Sequence, residues 1–80
     1  MTKLEIFGTG CAKCMRTAKN VEAAVKELGI EAEVVKVEEI DAITDRGVML
    51  TPALAVNGEV VVEGRVPTVD EIKEILSEVA

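Results

Sequence analysis

Two spacings of apolar residues take turns along this 80-residue chain, and each change of spacing marks a new element. Leu4, Ile6 and Phe7 lie in a short apolar segment, Lys3 to Phe7, that suits a buried strand; Gly8-Thr9-Gly10 ends it as a flexible stretch. From Cys14 onward Ala18, Val21, Ala24, Val25 and Leu28 recur at helical spacing on one face, with Gly29 placed to stop the helix. Glu33 to Val37 (Glu-Val-Val-Lys-Val) reads as a second strand, parallel to the first because the helix between them is a crossover. Glu39 to Arg46 forms a short helical stretch that turns Ile40 and Ile43 inward and stops at Gly47.

Ala53 to Val56 and Glu59 to Glu63 flank Asn57-Gly58, a strong hairpin signal that predicts a type I′ turn. After Pro67, Thr68 and Glu71 make a capping box, and Ile72, Ile75, Leu76 and Val79 supply the apolar stripe of a last helix. The order is βαβαββα. It predicts an α/β fold with a mixed four-stranded sheet flanked by three helices, since helices on both faces are needed to cover the runs of Val and Ile. With no repeat, low-complexity segment or linker, residues 1–80 read as one domain.

Composition narrows the function classes. A chain this short buries a little over ~60% of its unfolded surface, enough for a thin core. The hydrophobic fraction of 49% argues against disorder. One Phe, no Trp and no Tyr leave almost nothing to stack on bases, and a net charge of −6 repels a phosphate backbone, so nucleic acid is not an expected partner. Met1-Thr2-Lys3 leads into the first strand without an apolar leader, and no apolar run reaches the length of a membrane span; a cytoplasmic protein is expected. Histidine is absent. That excludes Ser-His-Asp and Cys-His catalysis within the chain and leaves a mononuclear zinc site to be completed by carboxylates or a second molecule.

The chain's only two cysteines form Cys11-Ala12-Lys13-Cys14, at the junction of the first strand and the first helix. A helix N-terminus presents unsatisfied N–H groups and partial positive charge, which favour a thiolate over a thiol. A cysteine there becomes a usable nucleophile near neutral pH, and a second one three residues on can close a reversible disulfide with it. Lys13 and Arg16 would favour the thiolate electrostatically, or simply be solvated on the first helical turn. A purely structural disulfide would close a very small loop and constrain little chain entropy. The pair reads as redox chemistry, with no cofactor required.

The element order, with a CxxC at the first strand–helix junction, resembles the thioredoxin fold, and more narrowly the small thioredoxin-like or glutaredoxin-like redox-active disulfide proteins of archaea and anaerobic bacteria. The likeness rests on Ile6-Phe7-Gly8-Thr9-Gly10-Cys11-Ala12-Lys13-Cys14, on Thr51-Pro52-Ala53-Leu54-Ala55-Val56-Asn57-Gly58, and on Gly64-Arg65-Val66-Pro67. The resemblance implies Cys11 as exposed nucleophile and Cys14 as resolving thiol, a cis Pro52 beside them, and Thr51, Pro52 and Lys13 as substrate-binding residues. It also implies a disulfide-containing protein or small molecule as substrate and a thioredoxin-reductase-like electron donor. The chain departs from thioredoxin proper: Cys-Ala-Lys-Cys replaces Cys-Gly-Pro-Cys, no Trp precedes it, and the extra N-terminal strand and helix are missing. Those departures bear on substrate and potential, not on fold. No glutathione-binding set is recognisable.

Four other residues carry candidate chemistry. Glu5 would accept a proton from Cys14 if it faced the space beneath it; an edge or half-exposed strand position is the preferred reading, because a buried Glu is costly without a partner. Arg65 would orient an anionic partner, or be a solvated loop residue. Met15 and Met49 would offer a soft surface near the thiols, though methionine more often fills gaps in a core. Two other functions fit the cysteine pair: a soft-metal-binding or transfer module, whose loop Gly10-Cys11-Ala12-Lys13-Cys14 resembles heavy-metal-associated domains, and a non-catalytic adaptor. Heavy-metal-associated domains end on a strand and carry Met where Thr9 stands, so the topology favours redox chemistry.

Overall fold

A computed structural model describes residues 2–79 of the chain, the side chain of Val79 excepted. The elements follow the expected order: β1 (Thr2–Phe7), α1 (Ala12–Leu28), β2 (Ala32–Val37), α2 (Ile40–Asp45), β3 (Ala53–Val56), β4 (Glu59–Glu63) and α3 (Val69–Val79). The strands form one sheet in the order β2-β1-β3-β4. β1 and β2 run parallel because α1 returns the chain to the same end, whereas β3 pairs antiparallel with both β1 and β4.

Local sequence sets most of the boundaries. Gly29 ends α1 at φ 65°, and its N–H reaches the carbonyls of Val25 and Lys26. Asn57 and Gly58 turn the hairpin at φ 52° and 89°, both positive as a type I′ turn requires. Asn57 also stitches the hairpin to β1: its N–H donates to the Lys3 carbonyl at 2.8 Å, and its Oδ1 accepts from the Lys3 N–H at 2.9 Å. At the start of α3 the Glu71 N–H donates to Thr68 Oγ1 at 3.1 Å and the Thr68 N–H returns to Glu71 Oε1 at 3.3 Å, a complete capping box.

Side chains alternate across β1, so the two faces of the sheet build two clusters. Leu4 and Ile6 pack with Ala18, Val21 and Ala24 of α1 and Ile72 and Leu76 of α3. Phe7 packs on the other face with Ile43 and Val48. The inward assignment of Ile40 does not hold: it is 68% exposed, because α2 is short and only Ile43 is buried along it. Val79, assigned to the α3 stripe, has its side chain outside the described residues.

Candidate active site

The last residues of β1 deliver the chain to the dithiol. Gly8 continues the parallel ladder by donating its N–H to the Val37 carbonyl at 3.0 Å, and Gly10 then turns at φ 89°. Cys11 is the N-cap of α1, with φ −69° and ψ 168°, outside the helical region. Its Sγ accepts the Cys14 N–H at 3.3 Å and its carbonyl accepts the Met15 N–H at 3.0 Å. One helical turn brings Cys14 back beside it, so the two sulfurs stand 2.7 Å apart with both thiols free. Cys11 is exposed and Cys14 is buried.

That asymmetry divides the protons between them. Cys11 lies below the usual thiol range, chiefly through its hydrogen bond with the Cys14 thiol and then through the backbone N–H of Cys14; the N–H of Lys13 adds to this. Burial pushes Cys14 up, and the neighbouring Cys11 sulfur pushes it the same way. The exposed sulfur is therefore the one that ionises first. Lys13 acts on the thiolate through its backbone N–H at the helix N-terminus, and its side chain is exposed to solvent. Arg16 is exposed on the next turn.

The second segment reaches the same end of the sheet from β3. The register Phe7↔Ala53 sets Gly8 level with Pro52. The Thr51–Pro52 peptide bond is cis; Pro52 is buried and Thr51 exposed. The Pro52 carbonyl accepts the Gly64 N–H at 2.9 Å. Glu63 holds the approach to this turn, its Oε2 accepting from the N–H groups of Met49 at 2.7 Å and Leu50 at 3.2 Å. No local signal announces that clamp, since a Glu at a strand end reads as solvated.

Glu5 differs from its preferred reading. It stands on a central strand and is only 5% exposed. A partner from far along the chain makes this burial tolerable: Arg46, capping α2, donates to both carboxylate oxygens at 2.5 and 2.9 Å. The same guanidinium lies 5.4 Å from the centroid of the Phe7 ring. Glu5 therefore shares the α2 face with Phe7, opposite α1, and its carboxyl is held below the usual range by Arg46. Arg65 is paired with Glu71 of the capping box, which keeps the loop before α3 in place. Met15 and Met49 are not core fillers: they are 67% and 89% exposed, at the α1 N-terminus and before the cis turn.

A small open cleft adjoins Cys14, lined also by Gly8, Ile6, Ala18 and Lys36. Among the described residues no group of three or more His, Cys, Asp or Glu side chains is gathered as a metal site would require. No helix there is long and apolar enough to cross a membrane.

Comparison with known proteins agrees with this geometry. The thioredoxin domain family matches residues 2–77. A thioredoxin of Methanothermobacter thermautotrophicus is 52% identical over 77 residues, covering 96% of this chain and 100% of that protein. One of Methanocaldococcus jannaschii is 50% identical over 76 residues, covering 95% and 87%. Among solved structures, a malarial protein superposes with a TM-score of 0.75 at 12% identity, covering 98% of this chain and 96% of its own. Thioredoxin-2 of the malaria parasite superposes with a TM-score of 0.73 at 13% identity, covering 98% and 82%. At such identities the structural likeness concerns the fold alone.

Proposed function

The chain belongs to the thioredoxin family and is a thiol–disulfide oxidoreductase, and from that premise we propose that Cys11 is its attacking thiol and Cys14 its resolving one. The observation that carries these roles is the contrast within the pair: an exposed sulfur at a helix N-terminus, lowered by its neighbours, and a buried one raised by burial. The Cys11 thiolate attacks one sulfur of a substrate disulfide. A Cys11–substrate bond forms, the substrate S–S bond breaks, and the departing thiolate takes up a proton. Cys14 then loses its proton and attacks Cys11 Sγ. The Cys11–Cys14 bond forms, the mixed disulfide breaks, and the second substrate thiol leaves protonated. Two electrons have passed from dithiol to substrate.

Thr51, Pro52 and Lys13 are the substrate-binding residues of this reading. Thr51 is exposed at the end of the sheet that carries the dithiol, where an extended substrate segment can pair with its backbone. Thioredoxins reduce disulfide-containing proteins and are themselves reduced by thioredoxin reductase; for this chain a protein or small-molecule disulfide and a donor of that class are the proposed partners. A lone cysteine pair used in turnover fits a reducing cytoplasm, and residues 1–80 act as one domain.

The test is a redox titration of the Cys11/Cys14 pair in metal-free buffer, trapped by alkylation and resolved by mass. The expected result is a two-electron transition with a midpoint between about −300 and −120 mV. Failure to form an intramolecular disulfide except under forcing oxidation would sink the proposal.

A further inference from the structure

We infer that Gly8 is a positioning residue for resolution: its missing side chain is the space that Cys14 Sγ occupies. A β-carbon built on Gly8 would lie 2.2 Å from Cys14 Sγ and 2.8 Å from Cys14 Cβ. Five of the six glycines, Gly10, Gly29, Gly47, Gly58 and Gly64, sit at positive φ, where the backbone itself favours glycine. Gly8 does not, and it is the only one whose added β-carbon would meet a neighbour closer than 3.0 Å. Backbone conformation admits any residue there, so the constraint is contact, and the atoms contacted belong to the proposed resolving cysteine.

The consequence is directional. Sγ lies against the end of β1, which Gly8 joins to β2 through the Val37 carbonyl, and Cys14 and Gly8 both line the open cleft into which Sγ can be displaced. A methyl group at residue 8 drives Sγ off the strand and out of line with Cys11. Since an error of about 1 Å in the placement of reacting groups can cost a hundredfold in rate, the expected slowing is about 10- to 100-fold. With Cys11 fully ionised, it falls on the second step alone, in which Cys14 attacks Cys11 Sγ, the Cys11–Cys14 bond forms and the substrate thiolate leaves and is protonated. The first attack by Cys11 depends on Gly8 only through the Cys14 thiol that lowers Cys11, so above the ordinary thiol range, where Cys11 is ionised with or without that contact, its rate is unchanged.

This inference rests on the assignment of Cys14 as the resolving thiol, and one experiment separates the two. A peptide disulfide is mixed in single turnover with reduced wild type, Gly8→Ala and Cys14→Ser, quenched in acid and resolved by mass. Cys14→Ser is expected to stall as the mixed disulfide on Cys11; if it does not, the assignment of roles fails. Given that stall, and at a pH above the ordinary thiol range so that Cys11 is ionised in both forms, Gly8→Ala is expected to form the mixed disulfide at the wild-type rate and clear it about 10- to 100-fold more slowly, with Cys14 more readily alkylated. At that pH, clearance at the wild-type rate overturns the role of Gly8, and so does slowing of both steps together. If Gly8→Ala does not fold, Gly8→Ala/Cys14→Gly removes both crowded atoms and is expected to recover a cooperative melt. A double variant that also fails to fold places the clash elsewhere and overturns the inference.

Discussion

At the scale of single residues, the two cysteines differ only in where a helix begins. Cys11 caps α1 from outside, with solvent on one side and N–H groups on the other; Cys14 is one turn in and buried. The largest influence lowering Cys11 is the Cys14 thiol, ahead of the backbone N–H groups. Cys14→Ala should therefore raise the inflection in the rate of Cys11 alkylation towards the ordinary thiol value of about 8.5, without reaching it, because the helix N-terminus remains. In the wild type Cys11 should titrate below that value and Cys14 above it. Iodoacetamide labelling followed by mass across pH measures both. An unchanged Cys11 inflection in Cys14→Ala would mean that the N–H groups act alone. The sequence was legible here as far as the thiol pair and its place at a helix start. It did not reveal which part of Lys13 matters: the backbone N–H acts by its position at the helix start, whereas the charged side chain is exposed to solvent.

At the scale of elements, boundaries were legible wherever the signal was local. Gly29, Asn57-Gly58 and the Thr68–Glu71 box each act within a few residues, and each formed as read. What escaped was pairing over long separations. Glu5 and Arg46 are 41 residues apart, and nothing in either neighbourhood announces the other. Their ion pair ties β1, which leads to the dithiol, to the end of α2, from which the chain runs on to the cis turn. The Glu5 carboxyl is held below its ordinary range, so the pair's stabilisation is full above that range and is lost as pH falls through the folded value. Arg46→Ala leaves the Glu5 carboxylate buried without a partner, which reverses the shift. Stranding a charge on Glu5 costs about 2–3 kcal/mol near neutral pH, below the figure for a fully buried pair because the Arg46 side chain is 37% exposed. The cost should shrink on acidification, as protonation of Glu5 destabilises the wild type and relieves the variant. Urea melts from pH 7 down to pH 3 read this directly. A penalty that stayed constant over that range would show that Arg46 works by packing on Phe7 instead.

At the scale of the whole molecule, the sheet separates support from chemistry. The larger cluster lies between the sheet, α1 and α3, and it includes Leu4, Leu54, Ile72 and Leu76, all at most 1% exposed. The residues that set the thiols lie at one end of that sheet: Gly8 after β1, the first turn of α1, and the turn before β3. An 80-residue domain of ordinary stability has about 4–12 kcal/mol in hand. Leu76→Ala, which empties a fully packed position in α3, should remove about 3 kcal/mol of it. Yet the forces on Cys11 come from Cys14 and from the adjacent N–H groups, and none of them passes through α3. The variant should therefore melt at markedly lower urea while its Cys11 alkylation inflection stays where the wild type has it, provided both are measured where the fold is intact. A shift of that inflection would mean that core packing in α3 adjusts the helix N-terminus at a distance, through α1, and the local account of the thiolate would have to give way.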